Sequence, residues 1–207
     1  MKFGHAVSSR SLDPVGVDLV RRTIERYVPL REEAWEQVRP CWHTFSFARG
    51  AFVSQARSVE HRFYIVQDGV QRLFVEHDGT EHCLGFSYGH SWTGDYDSFV
   101  RQKPGRFNVQ AITDSTLVGI THADLNRLYD TVPAMERFGR LILEEQIVGR
   151  ATREIEQIAL SAEERYHRFM ERSPQLLQLV AQKDLASYLR MTPETFSRLR
   201  AKAFGRS

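Results

Sequence analysis

The chain is short of cysteine, with only Cys41 and Cys83 among its 207 residues. They lie far apart with no C-x-x-C spacing, which excludes a disulfide framework and a four-cysteine zinc or iron–sulfur centre. Both are expected to be reduced, semi-buried fillers. No run approaches the roughly 18 consecutive apolar residues of a spanning helix, and the opening MKFGHAVSSR lacks the apolar middle of a secretory signal. A cytoplasmic protein without membrane contact is the expectation. Charge of one sign is lacking too: 28 Lys+Arg face 26 Asp+Glu, a formal +2. Glycine (13) and proline (7) are few while 42% of residues are hydrophobic, so a disordered or collagen-like chain is excluded and a core can form. Missing as well are a G-x-S-x-G elbow, a Walker-type loop, a G-x-G-x-x-G fingerprint and any basic motif beside either cysteine. No catalytic residue is expected, and the chain is read as a non-enzyme.

What is present changes texture along the chain. Residues 1–13 are polar and mixed and read as a loose tail. Val17, Val20, Ile24, Trp35 and Val38 recur at helical spacing with Pro29 between them, which predicts two short helices. After Trp42 come short runs rich in Val, Ile, Phe, Tyr and Thr, punctuated by Gly50, Asp68-Gly69, Asp78-Gly79, Gly85 and Gly89. That is the pattern of an antiparallel β-roll or jelly roll. Asp78-Gly79 is the cleanest hairpin turn, since both residues tolerate positive φ. From Pro133 to about Leu160 helical periodicity returns, with Phe138, Leu141, Val148 and Ile155 at spacings that suit a dimer seam or a stripe packed on the roll. Ser161 and Glu164 form a capping box that opens a further helix. The chain is thus α+β, divided as a roll with flanking helices (14–132), a long connecting helix (133–160) and a helical end (161–207).

In the last segment, Leu185, Ala186, Leu189, Met191, Phe196 and Leu199 are apolar or small at the spacing two short helices need to pack across a corner. The second helix is announced by Thr192 as N-cap and Pro193 at the first helical position. Glu194, Ser197 and Arg198 then project from its outer face, with Ala201 beside them. Arg can donate twice to guanine O6 and N7, and a carboxylate can accept from cytosine N4. Lys183, Thr192, Arg200 and Lys202 would meet phosphates. From Arg190 onward five basic residues face one acid, Glu194, a local +4 on a chain of +2. Such asymmetry suits a module that meets a polyanion.

DLASYLRMTPETFSRLRAK resembles the helix-turn-helix of the bacterial CRP/FNR transcription regulators, and IVQDGVQRLFVEHDGTEHCLGF with GHSWTGDY resembles their cyclic-nucleotide-binding β-roll. The order of roll, long helix and helix-turn-helix is also theirs, over about residues 20–204. The resemblance implies a homodimer joined by the long helices, reading half-sites of double-stranded DNA about 34 Å apart, with RNA polymerase as a further partner. It assigns base reading to Glu194, Ser197 and Arg198.

The chain departs from that pattern in three places. Arg190 stands in the turn where many relatives have glycine, at a cost on the order of 1 kcal/mol if the backbone there is left-handed. Only Gly205, Arg206 and Ser207 follow Phe204, so wing contacts beyond the motif are not expected. In the effector pocket, nucleotide-binding members have Gly-Glu-Leu and an Arg-Ser/Thr pair, whereas this chain has Gly94-Asp95-Tyr96 and Arg106 followed by Phe107 and Asn108. Asp95 is a methylene shorter, and Arg106 is offset by one position, which alternates the strand face. Weak or absent cyclic AMP binding is therefore expected, no cofactor is assigned, and the small-molecule effector is unknown. Two rival readings stand beside this one: a metal-dependent cupin-like enzyme, for which His77, His82 and His90 are the candidate ligands, and a ligand-binding or protein-interaction module that does not touch DNA. Those histidines read as surface or turn residues, since no acid follows at cupin spacing.

Overall fold

The computed structural model describes residues 9–204, and the chain divides into two compact units. The first comprises Met1–Leu73 and Phe86–Glu144, the second Phe74–Gly85 and Glu145–Ser207.

In the first unit, helix α1 (Pro14–Glu25) starts where Asp13 Oδ1 accepts from the N–H of Gly16 at 2.7 Å, with proline in the first turn. Its Leu19, Val20 and Ile24 are buried, as are Trp35 and Val38 of α2 (Glu32–Val38). These are the two short helices that the spacing predicts. A 3-10 turn at Arg39–Cys41 leads into the roll.

The strands are β1 (Ser9–Ser11), β2 (Trp42–Phe47), β3 (Phe52–Ser54), β4 (Arg62–Asp68), β5 (Val70–His77), β6 (Thr80–Tyr88), β7 (Trp92–Thr93), β8 (Asn108–Ala111) and β9 (Ser115–Thr121). They form a five-stranded sheet in the order β1-β2-β9-β4-β7 and a four-stranded sheet in the order β3-β8-β5-β6. β9 lies between β2 and β4, antiparallel to both. Its run Leu117-Val118-Gly119-Ile120 is buried throughout rather than alternating, as a central strand covered on both faces must be. One face meets Phe45, Phe47 and Tyr64, the other the larger cluster of Trp42, Phe63, Ile65 and the helices. Asp78 (φ 50) and Gly79 (φ 71) form the tight hairpin between β5 and β6, as two successive positive φ values require. β1 corrects the expectation of a loose tail as far as Ser9: Ser9, Arg10 and Ser11 pair with Phe45, Thr44 and His43. The edge of β2 supplies unpaired backbone groups, and pairing with them needs no apolar pattern from the incoming strand. Residues 1–8 of that tail lie outside the described residues.

After β9, α4 (His122–Thr131) is capped by Thr121, whose hydroxyl accepts from Asp124 N–H at 3.0 Å. α5 (Pro133–Ala159) is about 40 Å long. Its first half buries Met135, Phe138 and Ile142 in the core of the first unit.

The second half of α5 belongs to the second unit, with α6 (Ala162–Arg172), α7 (Leu176–Leu179), α8 (Gln182–Tyr188) and α9 (Pro193–Phe204). Ser161 and Glu164 close the expected capping box. α7, at four residues, is too short to display a period in the sequence. Tyr166, Phe169, Leu176, Leu185, Ala186, Leu189, Phe196 and Leu199 are buried together, with the Tyr166 and Phe196 rings edge to face at 5.7 Å. The hairpin segment of this unit bonds to α8, Cys83 N–H donating to Ser187 Oγ at 2.9 Å. Both cysteines are free and buried. Among the described residues no helix is long and apolar enough to cross a membrane.

Candidate nucleic-acid interface and ligand pocket

The corner between α8 and α9 follows from the backbone of Leu189, Arg190 and Met191. Met191 N–H donates to the Ala186 carbonyl at 3.0 Å and Arg190 N–H to the Ser187 carbonyl at 3.1 Å. This paired closure is the Schellman arrangement, which needs a left-handed residue after the helix cap. Arg190 fills it with φ 52, so the glycine-like conformation is present without the glycine. Thr192 starts α9, its hydroxyl accepting from Thr195 N–H at 3.2 Å, and Pro193 takes the first helical position. Leu185, Ala186, Leu189, Phe196 and Leu199 form the inside of the corner, while Met191 is only half-buried.

Glu194, Ser197 and Arg198 are all exposed on α9, at positions i, i+3 and i+4 that share one face. Its own backbone N–H and the Thr192 hydroxyl hold the Glu194 carboxyl below the ordinary carboxylate range, so it is charged at neutral pH. Lys183 and Thr192 are exposed and Arg200 is half-buried. Lys202 is engaged within the unit: its Nζ lies 2.7 Å from Glu163 Oε1 on α6, and the ammonium depresses the Glu163 pKa. An exposed pair of this kind is easily exchanged for another anion.

In the first unit, Gly94 (φ 118) turns the chain into α3 (Tyr96–Arg101). Asp95, 2% exposed, caps that helix by accepting from Ser98 N–H at 3.1 Å, and its second oxygen accepts from Phe107 N–H at 3.3 Å. The aspartate thus ties the 94–96 turn to the 105–108 segment. Gly105 lies so close to Asp95 Oδ2 that no Cβ fits between them. Tyr96 packs against Phe63, ring centroids 4.9 Å apart, and Asn108 Oδ1 accepts from Ala56 N–H at 2.9 Å. Arg106 is the exception: its side chain is 74% exposed and lies 3.7 Å from Asp97. The sequence-predicted pocket residues are therefore brought together, except that the guanidinium faces solvent and the carboxylate is engaged by the protein's own backbone.

Sequence reasoning missed the polar residues bonded behind the Asp95 turn. Ser54 Oγ accepts from Asp95 N–H at 3.1 Å and donates to Glu60, whose other oxygen accepts from Arg62 N–H at 3.0 Å. Burial pushes the Glu60 carboxyl up, against the opposing bonds from Ser54 and Arg62. A lone Glu in a polar loop carries no signal of burial. His77, His82 and His90 are exposed. Among the described residues no three His, Cys, Asp or Glu side chains group as a metal site would require.

A second omission lies on α6, where Arg165 donates to the carbonyls of Leu160, Leu189 (2.8 Å) and Arg190 (3.1 Å). It satisfies the carbonyl ends of α5 and α8 at once. Near it, Arg172 binds Glu156 of α5 through two bonds, which holds the Glu156 carboxyl below its ordinary range. The spacing of Arg165, Arg168 and Arg172 on one helix face was the available signal.

Residues 44–132 match the cyclic nucleotide-binding domain family. No curated protein sequence matches the chain. Among solved structures, FixK2 from Bradyrhizobium japonicum is 16% identical with a TM-score of 0.67, over 79% of this chain and 84% of that one. The c-di-GMP-responsive global regulator CLP of Xanthomonas campestris is 17% identical with a TM-score of 0.65, over 85% and 93%. The catabolite activator protein of Thermus thermophilus is 19% identical with a TM-score of 0.52, over 86% and 85%. Residues 44–132 thus resemble a cyclic nucleotide-binding domain, and the chain has a CRP/FNR-like fold.

Proposed function

We propose that the chain is a DNA-binding transcription regulator of CRP/FNR type and not an enzyme. The observation that carries this reading is the α8–α9 corner, whose apolar residues are buried while Glu194, Ser197 and Arg198 stand exposed on one face of the second helix. A helix-turn-helix presents such a face to the major groove, where Arg198 would donate to guanine, Glu194 accept from cytosine, and Ser197 bond to either. Lys183, Thr192, Arg200 and Lys202 would hold the backbone, Lys202 by leaving Glu163.

The homodimer is supported by the second half of α5, where Ile147, Val148, Ile155 and Ile158 are each 64–77% exposed along one face. A second copy of the helix would cover them, and Val148 and Ile155 recur at a heptad interval. An effector that favours one arrangement of the paired helices would then change the spacing of the recognition helices. Cyclic AMP is a poor candidate, because Asp95 is already bonded at both oxygens and Arg106 points outward.

Selection of bound duplexes from a random pool tests this reading. The expected product is a near-palindrome whose half-sites lie one helical turn apart. Recovery of no motif, with no salt-dependent binding even at low ionic strength, would remove DNA as the partner. Calorimetric titration with cyclic AMP is expected to give no micromolar binding.

A further inference from the structure

The second unit contains a cleft lined by the last turns of α5, by α6 and by the end of α8, with Phe169 and Tyr188 among its lining residues. Arg153 comes from α5, and Arg165, Arg168 and Arg172 from α6. The only carboxylate among the lining residues is Glu156. Four guanidinium groups against one carboxylate leave the cleft with a local charge of about +3.

Two of the four are already committed. Arg165 is bound to three backbone carbonyls, which accounts for the negative ends of α5 and α8. Arg172 is bound to Glu156 through both terminal nitrogens. Arg153 and Arg168 remain. Both act on the Glu156 carboxylate at longer range, lowering its pKa, yet among the described residues neither forms a close ion pair: Arg168 reaches Glu171 only at 4.0 Å, and Arg153 reaches none. Arginines at helical spacing on one exposed face are commonly solvated decoration. Here they converge from two helices on one depression, and the carboxylate between them is consumed by a third arginine.

The geometry points to an oxyanion site of the phosphate class in this cleft, held by Arg153 and Arg168 beside the Arg172–Glu156 pair. The planar guanidinium fork matches two oxygens of a phosphoryl group, and a dianion balances the two uncommitted guanidinium groups. Two sources supply that chemistry, a free phosphorylated small molecule and the phosphodiester backbone of DNA. The site does not depend on the DNA reading above, since a free phosphate ester would fill it equally.

The test titrates the full chain with inorganic pyrophosphate by calorimetry, at low ionic strength with chloride as the other anion. In parallel, the anisotropy of a random-sequence duplex is followed against salt. For a free ligand, pyrophosphate binds saturably, the Arg153→Gln/Arg168→Gln double variant loses at least tenfold in affinity, and the duplex salt slope is unchanged. For a backbone phosphate, pyrophosphate binds poorly and the double variant lowers the slope of log K against log salt by about two. Glu156→Gln, which removes the competing carboxylate, strengthens whichever ligand is bound. Thermal unfolding confirms that the variants fold, as expected for two exposed side chains of which only Arg168 has a long ion pair, to Glu171. If neither ligand distinguishes the double variant from the parent, the site does not exist. If no duplex binds while pyrophosphate does, the regulator reading fails and the cleft stands.

Discussion

The segment from Gly94 to Asn108 and the outer face of α9 are the two candidate sites, and their polar side chains have reached opposite states. Around Asp95 the donors and acceptors answer one another: Asp95 bonds to Ser98, Phe107 and Ser54, and Ser54 bonds in turn to Glu60. On α9, Glu194, Ser197 and Arg198 rise from a packed corner into solvent. Burial explains the difference. A polar group inside a roll must find an internal partner, whereas one on a helix face has water to bond until a partner comes.

Breaking the packed side of the contrast has the largest expected effect. Phe196→Ala empties a fully buried site beside Tyr166 and is expected to cost about 3–5 kcal/mol, read by denaturant unfolding of the second unit. Under the proposed function duplex binding is expected to be lost with it, and a stable variant that still binds would show that the corner is not what presents α9. Gly105→Ala probes the self-satisfied side. Its Cβ collides with Asp95, so a loss of about 1–3 kcal/mol is expected in the first unit, with duplex binding retained.

Arg198→Ala sharpens the exposed side. A loss of about 1–3 kcal/mol confined to one base pair per half-site is expected, measured by competition among duplexes; equal weakening on every sequence would reassign Arg198 to the backbone. The smallest effect belongs to the turn. Arg190→Gly relieves a left-handed arginine and is expected to raise the unfolding free energy by about 1 kcal/mol, leaving the contacts of α9 unaltered. A destabilised variant would mean that Arg190 makes a compensating contact.

Much of this was legible in residue order because the signals are local. Capping at Ser161 and Glu164, the Asp78-Gly79 hairpin and the corner residues of α8 and α9 all act over three or four positions, and the structure shows each. The departures Asp95 and Arg106 were also readable, though only as departures. That Asp95 would be bonded at both oxygens, and that Gly105 would press on it, could not be read, since Phe107 and Gly105 lie ten or more residues away. β1 escaped because a polar three-residue strand owes its structure to the edge it joins. On α5 the apolar period was readable though interrupted at Glu145 and Thr152, but not that its two halves differ: Phe138 is buried while Val148 and Ile155 stand exposed.

By itself the sequence determined the order of roll, long helix and helical end, the corner and the chemistry of its outer face, because helical and strand periods, caps and turn residues are written in adjacent positions. Tertiary structure alone decided which polar groups are already satisfied. It closed Ser54, Glu60 and Asp95 into one buried network and gathered the arginines of α5 and α6 around Glu156. Hydrogen bonding and charge act through space, and only folding brings residues far apart along the chain to within 3 or 4 Å of each other.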